Sequence, residues 1–147
     1  MEEIRRGSAA IDSSVFIYYA EANPQFGAAA HGVFSLCEAP KKKVFASTLV
    51  ITEVLTGYRK KKDREAEDTF WNIARALAPG LIFLPVTVAV ADTSADFRAK
   101  YNLRTPDALH IAAAIQADAG CFITNDRRLK AVKEIPVLLL AELAKPV

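Results

Sequence analysis

The sequence predicts a single α/β domain, built on a parallel sheet of about five strands with helices on both faces. Short apolar runs alternate with longer segments of helical periodicity, and no repeat or low-complexity tract interrupts the 147 residues. Strands of a parallel sheet are buried on both sides and therefore read as continuous apolar runs. A chain of this length suits one domain with a sizeable core, so residues 1–147 are expected to form a single domain.

The first half of the chain alternates between strand and helix patterns. The apolar run Ser8–Asp12 is predicted as the first strand, and Val15–Ala22 as a short helix directly after it. Residues Pro24–Glu38 repeat apolar side chains at about 3.6 residues, which predicts a second helix. Lys43–Ser47 is predicted as the second strand. The segment Thr48–Lys61 places its apolar residues on one side and is predicted as the third helix.

Helix caps and stops define the middle elements. Asp63 is expected to cap a helix that ends near Ala78, because a proline and a glycine follow. The apolar run Leu81–Val86 is predicted as the third strand. Apolar spacing in Thr87–Lys100 predicts the helix that follows it.

The last third of the chain predicts one buried helix and two strands. Thr105 is expected to be the N-cap of this helix, with a proline at the first helical position. The helix is expected to reach about Asp118, with Gly120 as its terminator. The fourth strand is predicted at Cys121–Thr124 and the fifth at Pro136–Leu140. Between them, Asn125–Val132 is predicted as a turn followed by a short helix.

The composition excludes several classes of protein. A hydrophobic fraction of 52% argues against disorder, and 19 Lys+Arg against 17 Asp+Glu is too even to indicate nucleic-acid binding by itself. Cys37 and Cys121 lie far apart in apolar surroundings, so buried thiols are expected rather than a zinc site or a disulfide. No stretch resembles a signal peptide or a membrane span, and a cytoplasmic protein is expected.

Four acidic residues stand out because their neighbours are apolar. Asp12 ends the first strand, Glu53 interrupts an apolar helix face, Asp107 begins the last long helix and Asp126 follows the fourth strand. Each has an ordinary structural explanation, as a cap, a turn residue, a partner of the helix dipole or the polar edge of a helix. Sites in open α/β sheets, however, form beyond the carboxyl ends of the strands, and all four can reach that edge.

Convergence of four carboxylates indicates a metal site. Ionised carboxylates at one edge repel one another, and a divalent cation removes that repulsion. Carboxylate oxygens suit Mg²⁺ and Mn²⁺. One or two such ions can activate a water molecule and stabilise an in-line displacement at phosphorus. The residues therefore indicate metal-dependent hydrolysis of a phosphoester.

Four segments, "AIDSSVFIYYA", "ASTLVITEVLTG", "TPDALHIAAA" and "FITNDRRL", resemble the PIN domain in their order and spacing. More narrowly, they resemble the VapC-type toxins of prokaryotic toxin–antitoxin pairs. The resemblance extends from about Ala9 to Leu143. It implies an Mg²⁺- or Mn²⁺-dependent endoribonuclease that leaves 5′-phosphate and 3′-hydroxyl ends. It also implies a small antitoxin partner and a homodimer.

The resemblance also implies roles for individual residues. The acids Asp12, Glu53, Asp107 and Asp126 match the four acidic positions of the family. Asp12 and Asp107 would hold the principal metal, Glu53 would bind it directly or through water, and Asp126 would complete a second site or orient the attacking water. Ser13 and Thr124 would orient a carboxylate or a water molecule. Further side chains expected near the site are His110, as a partly buried neighbour, and Lys60, Arg104 and Arg127, as contacts to RNA phosphates.

Other functions compete with the toxin. A stand-alone PIN nuclease in RNA processing would have the same acids but no antitoxin. A catalytically silent binding module would retain the fold without binding metal. An aspartate-nucleophile phosphatase needs a second aspartate two residues after the first, and Ser14 stands there after Asp12.

Overall fold

The structure is a computed structural model that describes residues 7–144. It contains one five-stranded sheet in which every neighbouring pair is parallel and the spatial order is β3-β2-β1-β4-β5. The strands are β1 (Ala9–Ile11), β2 (Val44–Ser47), β3 (Leu81–Leu84), β4 (Cys121–Thr124) and β5 (Val137–Leu139). The predicted parallel α/β architecture is confirmed.

Seven α-helices and two 3₁₀ helices connect the strands within residues 7–144. The α-helices are α1 (Ser13–Ala20), α2 (Gly27–Phe34), α3 (Thr48–Lys60), α4 (Arg64–Leu77), α5 (Val88–Tyr101), α6 (Thr105–Gln116) and α7 (Leu140–Leu143), and the 3₁₀ helices are Ser35–Glu38 and Arg127–Ala131. No helix in this part of the chain is long and apolar enough to cross a membrane.

Helices cover both faces of the sheet because side chains alternate along each strand. Ala9 and Ile11 of β1 face a core layer that contains buried residues of α1, α2, α3, α4 and α7. Ala10 faces the opposite layer, which α5 and α6 close. Rings fill the first layer, where Phe16 packs 4.7 Å from Phe70 between ring centroids. Burial on both faces explains why the strands read as continuous apolar runs.

The strand order reverses at the centre of the sheet. The chain proceeds outward from β1 through β2 to β3, then returns to place β4 on the other side of β1. Ile11 is paired with Ile123 there, although 112 positions separate them along the chain. A crevice opens beyond the carboxyl ends of two strands at such a reversal, and this is where open α/β sheets bind ligands.

Helix α6 differs from its prediction at both ends. Its N-cap is Arg104 rather than Thr105, because the N–H of Ala108 donates to the Arg104 carbonyl and the helix begins one residue earlier. It ends at Gln116, and the left-handed residue is Asp118 (φ 56°) rather than Gly120. Aspartate tolerates this conformation better than most side chains, so a glycine is not required there.

Other elements are shorter than predicted. The second helix begins only at Gly27, because the Asn23 side chain accepts the N–H groups of Gln25 and Phe26 and forms a turn before it. The fifth strand ends at Leu139, and α7 begins directly after it. The cap at Asp63 is confirmed by its hydrogen bond from the Ala66 N–H.

The cysteines remain thiols, as expected. Cys121 is buried, whereas Cys37 is only half-buried, so the prediction of burial is wrong for Cys37.

Candidate active site

The four predicted acids line one cleft of about 770 Å³, which opens where β1 and β4 end. They come from four separate elements: Asp12 follows β1, Glu53 lies in α3, Asp107 lies in the first turn of α6, and Asp126 follows β4. The remaining lining residues are Ser13, Ser14, Tyr18, Gln25, Phe26, Arg104, His110, Asn125, Arg127 and Ala141. The fold therefore brings together the acids that the sequence singled out.

Asp12 lies at the floor of the cleft and is the N-cap of α1. Its Oδ1 accepts from the Ser14 hydroxyl at 2.5 Å and from the Val15 N–H at 3.4 Å. Its Oδ2 accepts from the Thr124 hydroxyl at 2.5 Å. Burial raises the pKa of Asp12 above its ordinary value of 3.8, and these hydrogen bonds together with the nearby His110 only partly oppose that shift.

Two hydroxyl groups donate to Asp12, one from Thr124 and one from Ser14. Thr124 is fully buried, and its Oγ1 also accepts the N–H of Asp126 at 3.1 Å, so it links the first and last acids directly. The hydroxyl that donates to Asp12 from α1 is that of Ser14 rather than Ser13. Ser13 lines the cleft as the first residue of the helix, whereas Ser14 follows Asp12 by two positions and can reach back to it.

Glu53 is held by a buried histidine. The Nε2 atom of His110 lies 2.5 Å from Glu53 Oε1, and the imidazole side chain is 2% exposed against 38% for Glu53. His110 lies one turn after Asp107 on α6, so one helix carries an acid and the partner of another acid. The other ring nitrogen, Nδ1, has no hydrogen-bond partner within residues 7–144.

The outer acids are paired with arginines. Arg104 Nε donates to Asp107 Oδ2 at 3.1 Å. Arg128 contacts both oxygens of Asp126, with Nη2 2.6 Å from Oδ2 and Nε 3.0 Å from Oδ1. This guanidinium is the main reason that the pKa of Asp126 lies below its ordinary value of 3.8. Both arginines are mostly exposed, so these pairs are readily exchanged for other partners.

The chemistry of these donors fits a hard divalent cation. All four acids provide carboxylate oxygens, which Mg²⁺ and Mn²⁺ prefer. Asp12 forms no ion pair with any residue between 7 and 144. The same residues contain no group of three His, Cys, Asp or Glu side chains that already surrounds one point. The side chains therefore share a cleft, but Glu53, Asp107 and Asp126 are turned toward His110 and arginines.

The predicted basic residues divide into two groups. Arg104 and Arg127 line the cleft. Lys60 does not, because it lies seven residues beyond Glu53 on α3, which is about 10 Å along the helix axis. A contact between Lys60 and RNA phosphates would therefore lie outside this cleft, and it stays a prediction.

Several lining residues were not identified from the sequence. Asn125 stands between Thr124 and Asp126, and this adjacency was the available signal for its position. Tyr18, Gln25 and Phe26 reach the cleft from α1 and the loop before α2. Their place depends on how α1 and α2 pack together, which a local pattern does not reveal.

Several solved structures of similar fold come from toxin–antitoxin systems. A chain of VapBC2 from Rickettsia felis bound to promoter DNA has a TM-score of 0.70 at 14% identity, over 90% of this chain and 98% of that chain. A VapC toxin of Mycobacterium tuberculosis, described as cleaving the sarcin–ricin loop, has a TM-score of 0.66 at 16% identity, over 87% and 98%. A chain of VapBC from Salmonella typhimurium bound to DNA has a TM-score of 0.68 at 16% identity, over 91% and 98%.

At such low identity these neighbours establish the fold alone. No curated protein matches the chain. The model of the PIN domain family matches residues 9–135, which include all five strands except the last and all four acids of the cleft. The chain therefore belongs to the PIN domain family.

Proposed function

We propose that this protein is a metal-dependent endoribonuclease and the toxin of a type II toxin–antitoxin pair. One observation carries the proposal: Asp12, Glu53, Asp107 and Asp126 come from four separate elements and line a single cleft at the reversal of the strand order. A cleft rich in carboxylates is a poor site for an anionic substrate unless a cation is also present. Four acids in one cleft therefore support a metal site for phosphodiester chemistry.

In this proposal the acids divide the work of holding Mg²⁺ or Mn²⁺. Asp12 and Asp107 hold the principal ion, Glu53 binds it directly or through water, and Asp126 completes a second site or orients the attacking water. Such ions, when bound, supply a Lewis acid for phosphate oxygens and acidify a water molecule.

The surrounding side chains orient the acids and the substrate. The hydroxyls of Ser14 and Thr124 fix the direction of the Asp12 oxygens, and His110 fixes one oxygen of Glu53. Asp107 and Asp126 now contact Arg104 and Arg128, so metal binding exchanges these exposed pairs. Arg104 and Arg127 are then placed to neutralise RNA phosphates at the mouth of the cleft.

The family and the structures of similar fold support the proposed partner. Structures of similar fold are described as toxin–antitoxin complexes from Rickettsia felis, Klebsiella pneumoniae and Salmonella typhimurium. Their descriptions favour a toxin over a stand-alone RNA-processing nuclease. A small antitoxin and a second copy of this chain are the proposed partners, and the cytoplasm, where cellular RNA is found, is the proposed location.

A cleavage assay on total cellular RNA tests the proposal. Purified wild-type protein and Asp12→Asn are incubated with Mg²⁺, with Mn²⁺ and with EDTA. We expect discrete fragments with 5′-phosphate ends that require metal and are absent with the variant. Folded, inhibitor-free protein that neither cleaves RNA nor binds Mn²⁺ would instead support the silent binding module. Copurification with the product of a small neighbouring reading frame would separate the toxin from an RNA-processing nuclease.

A further inference from the structure

Four uncharged residues form a connected part of the cleft lining: Tyr18 of α1, Gln25 and Phe26 of the loop before α2, and Asn125 directly after β4. We call this group the amide–aromatic wall. It shares the cleft with the four acids, yet it presents rings and carboxamides instead of carboxylates or cations. Its chemistry therefore suits a neutral, flat, polar-edged ligand rather than a phosphate or a metal ion.

The rings of the wall are held in place by the protein core. Tyr18 and Phe26 lie 5.1 Å apart between ring centroids at an interplanar angle of 46°. Both pack against the core layer that contains α1 and α2, and both remain only partly buried. The Asn23 side chain accepts the N–H of Phe26 and fixes the turn that carries it. The cleft therefore has an ordered aromatic surface that solvent still reaches.

The amides of the wall have unused hydrogen-bonding capacity. The Nδ2 group of Asn125 lies 3.5 Å from the Tyr18 hydroxyl, a long contact, and its Oδ1 accepts no hydrogen bond from residues 7–144. The side-chain amide of Gln25 forms no hydrogen bond within the same range. A carboxamide offers two N–H donors and one carbonyl acceptor. Two such groups remain available to a ligand.

The position of Asn125 relates the wall to the acids. Thr124 donates to Asp12, and the Asp126 N–H donates to Thr124, so Asn125 stands between two residues that these hydrogen bonds connect to Asp12. A ligand held by Asn125 therefore lies in the same cleft as a phosphate bound at the acids.

Unpaired nucleobases have the chemistry that this wall would recognise. Bases of single-stranded RNA stack on aromatic side chains and are read through hydrogen bonds to their edges. Such stacking contributes about 1–3 kcal/mol per base in single-strand binding proteins. Asparagine and glutamine can form paired hydrogen bonds with a base edge, because each both donates and accepts.

We propose that the amide–aromatic wall is a nucleobase subsite, which holds the unpaired base beside the scissile phosphate. Tyr18 and Phe26 stack on the base, while Asn125 and Gln25 read its edge. This inference rests on the proposed nuclease function and deepens it, since it assigns sequence preference to lining residues other than the acids.

Cleavage of a random-sequence single-stranded RNA pool, with every cut position mapped by sequencing, tests the inference. The proteins compared are wild type, Asn125→Ala, Gln25→Ala and the control Gln116→Ala, which removes an exposed amide bonded to Thr93 on the far helix pair. Gln25 is exposed, so its variant stays informative if the Asn125 variant folds poorly. Mn²⁺ binding is measured in parallel to show that the acids remain intact.

We expect wild type and Gln116→Ala to prefer the same base next to the cut. In Asn125→Ala this preference falls about tenfold or more, and in Gln25→Ala it weakens, while Mn²⁺ affinity stays unchanged. Cleavage by both cleft variants with the wild-type preference would overturn the inference alone. Loss of antitoxin affinity with an unchanged base preference would identify a peptide-docking surface and also overturn it. Absence of cleavage by wild type would overturn the proposed function together with the subsite.

Discussion

The floor and the rim of the cleft shift the pKa of an aspartate in opposite directions. At the floor, Asp12 is surrounded by hydroxyl and amide donors, and burial raises its pKa. At the rim, Asp126 is clasped by Arg128, which lowers its pKa. The rim acid therefore has a cation of its own, whereas the floor acid lacks one within the described residues. The contrast indicates that a bound cation would be stabilised most at the floor, beside Asp12.

The two pKa shifts change the free energy of unfolding with pH in opposite directions. Because the folded protein binds a proton at Asp12 more tightly than the unfolded chain does, the free energy of unfolding falls as pH rises from about 3.8 through the raised pKa. At Asp126 the unfolded chain binds the proton more tightly, so stability is lost as pH falls from 3.8 through the lowered pKa. At neutral pH the floor acid destabilises the fold and the rim acid stabilises it.

The largest effect is expected when the charge of Asp12 at the floor is removed. Asp12→Asn should reduce RNA cleavage below detection, because the principal metal ligand loses its charge. The fold should survive, since asparagine is as good an N-cap as aspartate. Cleavage rates and far-UV circular dichroism check both parts. Cleavage at the wild-type rate by a metal-dependent route would contradict the assignment of Asp12.

The second-largest effect is expected at His110, which belongs to the floor but carries no acid. His110→Ala releases Glu53 and should lower activity by about 10- to 100-fold, as the loss of a ligand's partner does in metal sites. His110→Gln retains a donor and should restore part of that loss. Metal titration of activity in the three proteins makes the measurement. Equal rates for the alanine and glutamine variants would show that contact with Glu53 is unimportant.

Metal binding at the acids should stabilise the folded protein. At Mn²⁺ concentrations about 100-fold above Kd, binding adds about 2.7 kcal/mol, or roughly 5 to 10 °C in Tm for a chain of this size. Asp12→Asn should show little of this increase. Without metal, the stability advantage of Asp12→Asn over wild type should shrink as pH is lowered toward 3.8. An advantage that instead grows on acidification would reverse the sign assigned to Asp12.

The smallest effect concerns the rim. Arg127→Ala should weaken RNA binding at every sequence and reduce the salt slope, −log Kobs against log salt, by about 0.7 for a single strand. Lys60→Ala is the matched control, because Lys60 lies outside the cleft lining and should leave the slope unchanged. Equal decreases for both variants would extend the RNA path along α3.

The sequence predicted the sheet and the acids because both depend on local signals. The apolar runs of β1, β2 and β4 are buried on both faces, and each is followed by a polar residue of the cleft or by the helix that carries one. Asp12 and Asp126 were identified for this reason. The pairing of β1 with β4 was not fixed by any local pattern, since it joins distant segments.

Contacts between elements could not be predicted in the same way. The link from His110 to Glu53 spans 57 positions and depends on how α6 lies against α3. Ser14, rather than Ser13, reaches Asp12 because of the direction of the first turn of α1. The placement of Tyr18 and Phe26 likewise follows from packing. These features are tertiary, and periodicity within one segment carries no information about them.

The central position of β1 also determines when the sheet can form during synthesis of the protein. One edge of β1 pairs with β2, but its other edge must wait for β4, which lies 112 residues later. At elongation rates of 5–20 residues per second this delay is roughly 5 to 20 s. Until residue 107 has been made, a nascent chain carries Asp12 without Asp107 or Asp126. An unfinished chain would therefore lack the complete set of acids. The proposed activity would appear only after the ribosome has synthesised Asp126.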